Sequence, residues 1–404
     1  MRLAMIGAFP FPYPQGSQIF LADQARALCA LGAAPVLLTY GRGAGAAPDD
    51  LELAPGPRWL SPRAMRSGPQ WSKPAADAAL AAAYLAEHRR ESFDLALAHN
   101  AEAAAVALAA RPFTGVPVLY VVHTILGWEL SAYGPERWRS ALDAAGSLVD
   151  RAIARQADGI LALCRDAAEI LAPHSRGRIR VLPPGLDPSP PPSEDTQRES
   201  CDRQGLEPGR FVLYTGNLDG YQDLDLLAEA AAELDRQSTE GAARSVPIVV
   251  ATHDASGSES WLARSPRLRC IQVPDFDEMR ALTFAAGVLV LTRRRRGGFP
   301  VKLLNYMEAG RPIVAFEGIA SGFEHRRNAW LLRRDAGARD VADALVALLD
   351  EPALGEALGH VARRHLEEQH SWPTLARRTL EFAEGLCDGA RGVPPRLSIP
   401  RELR

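Results

Sequence analysis

The feature that most constrains this chain is a pattern that occurs twice. A short apolar run leads through a glycine- or proline-bearing loop into an amphipathic helical run, and then into another short apolar run. Short apolar strands alternating with helices predict parallel sheets covered by helices on both faces. The first copy opens with strand 2–7, loop 8–16, helix 17–31 and strand 35–40, with Ser17 read as the helix N-cap. The second opens with strand 211–215, Gly216, a polar loop, helix 224–234 and strand 247–251. Between them lies PPGLDPSPPPSE, residues 183–194, whose prolines stiffen the chain and exclude helix. The reading is of domains at 1–185 and 211–371, joined by a proline-rich linker at 186–210. A further helix at 372–387 and a disordered tail at 388–404 follow.

Inside the first domain, residues 41–73 read as irregular and 75–90 as an alanine-rich helix. Strands 94–98 and 117–122 end at His99 and His123, and helix 101–110 lies between them. A long helix at 135–157, strands 159–163 and 178–182, and a helical turn at 166–171 complete it. The second domain continues with strands 268–273, 287–291, 312–316 and 329–332 and helices 277–285, 338–349 and 353–368. The architecture is α/β: two Rossmann-like domains facing across a cleft. Ligands of such sheets bind outside the carboxyl ends of the strands. Neither domain has a G-x-G-x-x-G fingerprint, which argues against a dehydrogenase.

One stretch carries the chemistry. Residues 297–310, GGFPVKLLNYMEAG, run from a glycine loop into a helix between two strands. A helix start after a glycine loop suits an anion such as a phosphate. Lys302 and Asn305 lie on that helix. Of 46 basic residues only Lys73 and Lys302 are lysines, so a compact ammonium at 302 stands out in an arginine-using chain. The arginine run 293–296 precedes the loop.

Other quantities set bounds. A net charge of −3 gives no field for nucleic acid. Five scattered cysteines, none in C-x-x-C spacing, fit reduced thiols in a cytoplasm rather than a disulfide framework or a metal site. No run approaches a membrane span. Arginines at 58, 63, 66, 89 and 90 leave peripheral contact with an anionic membrane surface open.

The segments PYPQGSQIFLADQARALCALG, VVHTILGWEL, RIRVLPPGLD, VLYTGNLDGYQDLDLLAEA and GGFPVKLLNYMEAGRPIVAFEG, in this order, resemble retaining glycosyltransferases of the GT-B fold, the bacterial group 1 or family 4 type. The resemblance runs from about residue 1 to 386. It implies a C-terminal domain that binds a nucleotide diphosphate sugar and an N-terminal domain that binds the acceptor. It also implies a C-terminal helix returning to the N-terminal domain. Such enzymes usually carry two glutamates eight positions apart; here those positions are Gly297 and Asn305. They usually carry an arginine and a lysine holding the diphosphate; here those are Asn217 and Gln222. GGFPVKLLNYM wording recurs as a variant of the family.

The resemblance makes His123 the histidine that contacts the donor sugar near the reacting carbon. It makes Lys302 the diphosphate clamp, replacing the cations missing at Asn217 and Gln222. Gly298, Phe299, Pro300, Asn305 and Glu317 join the donor site. Gly16, Ser17, His99 and Glu129 are candidates for the acceptor or sugar side. The implied reaction moves a hexose to an acceptor hydroxyl with retention, with no cofactor beyond the donor substrate. No residue stands out as a nucleophile for a double displacement, so front-face attack by the acceptor hydroxyl is expected, and no metal cluster is visible, so no bound metal is expected. The acceptor is a saccharide, lipid or small molecule. A non-catalytic sugar-nucleotide-binding subunit and a nucleotide-sugar epimerase are the alternatives.

Overall fold

The computed structural model describes residues 1–13, 16–61, 72–133, 136–237, 246–253, 259–294, 298–319 and 322–390. Contacts divide the chain into two units. One is Met1–Gly185 with Gly297–Phe299 and Trp372–Arg404; the other is Leu186–Arg296 with Pro300–Ser371.

In the first unit the strands are β1 (Arg2–Pro10), β2 (Ala34–Tyr40), β3 (Glu52–Leu53), β4 (Leu95–His99), β5 (Val118–Val122), β6 (Gly159–Ala162) and β7 (Arg178–Val181). The helices are α1 (Gly16–Ala30), α2 (Lys73–Arg90), α3 (Asn100–Thr114), α4 (Leu126–Tyr133), α5 (Arg139–Gln156) and α6 (Arg165–Leu171). The sheet is parallel, in the order β3-β2-β1-β4-β5-β6-β7. Strand side chains alternate between its two faces. Ala4, Ile6, Ala96, Ala98, Tyr120 and Val122 pack under α2, α3 and α5. Leu3, Met5, Leu95, Leu97, Leu119 and Val121 pack on the opposite face under α1.

The second unit holds α7 (Glu194–Arg203), β8 (Val212–Thr215), α8 (Leu224–Gln237), β9 (Ile248–Thr252), α9 (Glu259–Leu262), β10 (Leu268–Gln272), α10 (Phe276–Ala285) and β11 (Val288–Val290). It continues with α11 (Lys302–Ala309), β12 (Ile313–Phe316), β13 (Trp330–Leu332), α12 (Ala338–Asp350) and α13 (Pro352–Gln369). Its parallel sheet runs β10-β9-β8-β11-β12-β13. In both sheets the winding reverses after the first strand, between β1 and β4 and between β8 and β11. Such reversal points open a crevice at the carboxyl ends of the strands.

The last helix, α14 (Trp372–Ala390), belongs to the first unit. Trp372, Leu375, Ala376, Phe382, Ala383 and Leu386 bury one stripe of it in the same core as α1. Each large side chain buried there contributes roughly 1.5–3 kcal/mol.

The structure corrects several expected boundaries. Residues 186–210 are not all linker, because α7 lies within them. Ser193 caps α7 by accepting from Thr196 N at 3.1 Å, and Glu194 and Asp195 supply an acidic first turn. The prolines upstream masked that start signal. The stretch before it is held down: Ser189 N donates to Glu308 Oε1 at 3.0 Å, and Glu308 pairs with Arg280 at 2.7 Å in a buried ion pair. The helix expected at 135–157 is α5 alone, preceded by α4 and by a 3₁₀ turn at Glu136–Trp138. Gly146 and Gly127 let α5 and α4 touch closely, since a Cβ at Gly146 would stand 2.6 Å from Gly127 Cα. Helix α1 begins at Gly16, so Ser17 lies in its first turn and is not its N-cap. Helix α14 continues to Ala390, past the expected tail boundary at 388; residues 391–404 lie outside those described.

Candidate functional site

Lys302 starts α11, and the local sequence explains where it points. Tyr306 lies four residues on, on the same helix face. Its hydroxyl is fully buried and accepts from Thr215 N, at the end of β8, at 2.9 Å. That anchor aims Lys302 at the loop after β8. There Lys302 Nζ donates to Tyr214 Oη at 2.7 Å and to Gln222 Oε1 at 3.4 Å, and stands 4.0 Å from the Tyr214 ring centroid. Gln222 in turn donates to Asn217 Oδ1 at 2.7 Å, and Tyr214 Oη donates to Asn217 O at 2.9 Å. Thr292, after β11, donates to Gln222 O at 2.7 Å. The residues at 217 and 222 thus share one hydrogen-bonded network with Lys302. Gly216 sits at φ +128°, and a Cβ there would come 2.5 Å from Lys302 Nζ, so a side chain at 216 would displace the ammonium.

Among the described residues no carboxylate lies within ion-pair distance of Lys302. Burial first, then the charge of the buried Arg293, pushes its pKa down to about 7, against the pull of Asp219. A cation held by a hydroxyl, an amide oxygen and an aromatic face, beside another cation, is suited to receive an anion.

Asn305 lies one turn along α11, half-buried, and its side chain has no hydrogen-bond partner among the described residues. Helix α11 ends at Gly310, in the left-handed region at φ +63°, packed against Gly359 of α13. Gly298 is also left-handed at φ +80°, and Phe299 and Pro300 are buried. Glu317, after β12, is exposed. With Gly318, Arg333, Arg334 and Asp335 it lines a shallow depression of about 370 Å³. Arg295, Arg296 and Gly297 lie outside the described residues.

In the first unit, His99 ends β4 and is fully buried, while His123 follows β5 and stays partly exposed. His99 Nδ1 and His123 Nε2 are 3.1 Å apart. Phe20 of α1 meets both rings edge-on, with centroids 5.9 and 4.8 Å away, and Trp372 of α14 backs Phe20 at 5.2 Å. Burial holds both imidazoles neutral, His123 down to about 3 and His99 well below its usual range. One tautomer pair fits best. His99 Nε2 is buried without a partner, and a bare lone pair there costs less than an orphaned N–H. His99 then donates from Nδ1, His123 accepts at Nε2, and His123 presents Nδ1–H. Among the described residues the His99 side chain hydrogen-bonds only to His123. Sequence reasoning missed Phe20 and Trp372, which carry no local signal of a role.

Gly16 is exposed and Ser17 partly exposed at the start of α1, after β1. Glu129 sits on α4, whose start is held by buried Asp150, which accepts from Gly127 N at 3.1 Å. Burial, then Glu102, raises the Glu129 pKa, against Lys73. Lys73 is itself bound to Glu102 at 2.7 and 2.9 Å. Among the described residues no cluster of three His, Cys, Asp or Glu is placed to hold a metal ion.

Comparison with known proteins agrees with this architecture. Glycosyltransferase Family 4 matches residues 14–190, and Glycosyl transferases group 1 matches residues 209–351. The D-inositol 3-phosphate glycosyltransferase of Kribbella flavida is 26% identical over 94% of this chain and 94% of its own. The D-inositol 3-phosphate glycosyltransferase 2 of Catenulispora acidiphila is 25% identical over 97% and 96%. Among solved structures, sucrose-phosphate synthase from Thermosynechococcus elongatus superposes with a TM-score of 0.71 at 16% identity, over 96% and 99% of the two chains. Anabaena HepE in complex with UDP-glucose superposes at 0.66 and 15%, over 95% and 99%. The two doubly wound sheets therefore form the GT-B fold of two Rossmann-like domains. The chain belongs to the group 1 glycosyltransferases, and it is an enzyme of that class.

Proposed function

We propose that this glycosyltransferase takes a hexose from a nucleotide diphosphate sugar and delivers it to an acceptor hydroxyl with retention of configuration. The observation that carries the reading is Lys302: a part-buried ammonium with no carboxylate partner among the described residues, at the reversal point of the second sheet. Departure of a diphosphate is the demanding electrostatic step, and fixed cations there contribute most. Lys302 takes the diphosphate charge in place of the cations absent at Asn217 and Gln222, with Arg293 beside it. His123 offers its Nδ1–H to the donor sugar near the reacting carbon. Gly298, Phe299, Pro300, Asn305 and Glu317 complete the donor side, and Gly16, Ser17 and Glu129 serve the acceptor or sugar loop. The UDP-glucose bound by HepE makes uridine diphosphate sugars the first donors to test. Inositol 3-phosphate is the first acceptor, after the curated relatives.

A thermal-shift panel of nucleotide sugars followed by turnover assays tests this reading. The expected result is stabilisation by one sugar nucleotide and transfer to an acceptor, with the α-anomeric proton kept in the product by NMR. Inverted product overturns retention. Donor binding without transfer across acceptors returns the reading to a binding subunit, and sugar isomerisation without acceptor to an epimerase.

A further inference from the structure

The outer face of α5 and of the 3₁₀ turn before it combines exposed apolar side chains with arginine. The inner face of α5 packs on α4 and α3. On the outside, Trp138 of the preceding 3₁₀ turn is 55% exposed, and on α5 Leu148 is 65% and Val149 42% exposed. Exposed Ala141, Ala145 and Ala152 fall at helical spacing between them, so these residues make one apolar stripe. Exposed Arg137, Arg151 and Arg155 line one edge of that stripe. Among the described residues none of these three arginines has a carboxylate within ion-pair distance. Exposed Arg26, Arg90, Arg165, Arg264 and Arg327 are matched with acids; Arg89, Arg364 and Arg377 have no acid within ion-pair distance among the described residues either, so it is the apolar stripe beside the arginines that sets this edge apart.

An exposed apolar stripe with an uncompensated cationic edge has the character of a helix that lies in a membrane interface. The apolar side chains enter below the headgroups while the guanidinium groups meet lipid phosphates. A second copy of the chain fits less well, because a two-fold contact would set the same arginines against each other. No helix among the described residues is long and apolar enough to cross a membrane. We propose that the outer face of α5 rests on an anionic lipid surface, with Trp138, Leu148 and Val149 as its apolar contact and Arg137, Arg151 and Arg155 as its charge contact. This places membrane contact on α5 rather than on the arginines at 58, 63, 66, 89 and 90, and it does not depend on the donor assignment.

Flotation of the full chain with vesicles tests it. The protein is expected to float with equimolar phosphatidylcholine and phosphatidylglycerol, to stay behind with phosphatidylcholine alone, and to release in high salt. Arg151→Ala with Arg155→Ala should weaken partitioning about 25-fold, on the order of fivefold per arginine. Leu148→Glu should abolish flotation without lowering the thermal midpoint, since the side chain is exposed; Val149→Ser serves as a milder second variant. Equal flotation with both vesicles, none with either, or flotation indifferent to these variants overturns the proposal. Lipid-free self-association by light scattering that Leu148→Glu removes would also overturn it and assign the face to a second copy.

Discussion

The two reversal points of this molecule bury titratable nitrogen in opposite ways. In the first unit a pair of imidazoles is packed between Phe20 and the strand ends, and each is held neutral by burial. In the second unit a single ammonium is packed against Tyr214 and Gln222 with a second cation close by. Desolvation lowers the pKa in both places. The consequence differs because the histidines share one hydrogen bond and carry no charge, whereas Lys302 is left wanting negative charge. One site is arranged to hold an orientation; the other is arranged to hold an anion.

That contrast gives an order of effects. Lys302→Ala should cost the most, about 10³-fold in kcat/KM, the scale of losing a fixed group that meets charge in the transition state. Its thermal midpoint should hold, since the part-buried cation has no carboxylate partner among the described residues and its removal costs only its contacts with Tyr214 and Gln222. Steady-state kinetics with the cognate donor checks it, and unchanged turnover would break the anion assignment.

His99→Leu should cost less, up to about 10²-fold in kcat, through loss of the hydrogen bond that orients His123. His99→Gln keeps an N–H donor and should recover part of the loss. Nitrogen NMR of His123 should show Nδ1 protonated in the wild type and mixed tautomers in His99→Leu. A wild-type spectrum with the proton on Nε2 would reverse the direction of the pair.

The pH effect is the mildest and has a fixed sign. A bound diphosphate raises the Lys302 pKa above its free value of about 7, so affinity is fully present below that pH and falls as pH rises. The fall should approach tenfold per pH unit above 7, until the pKa of the complex is reached. Isothermal titration with UDP across pH 6–9, compared with Lys302→Arg, reads this directly; Arg stays charged, so its slope should vanish. Identical slopes would show that another group carries the linkage.

Much of this was legible in the chain. The alternation of short apolar runs with helices revealed two parallel sheets, because a strand buried on both faces leaves no polar side to its sequence. The lone lysine of 297–310 pointed to the site, since an arginine-rich composition makes one ammonium conspicuous. The His99–His123 contact was less legible. Both residues end strands, but that β4 and β5 are neighbours, and that two ring nitrogens stand 3.1 Å apart, follows from register. Helix α7 was hidden by the prolines upstream of it, and the cationic edge of α5 by an average charge near neutrality.

By itself, then, the sequence determined the fold class, the two-part division and the residue types at the strand ends, because those depend on local periodicity and composition. Tertiary structure alone decided which of those residues are partners. Tyr306 anchors α11 on Thr215 across 91 positions, and that contact turns Lys302 in against Tyr214 and Gln222 rather than out to solvent. Electrostatic character depends on what surrounds a charge within a few ångströms, and those neighbours come from strands and helices far apart in the chain.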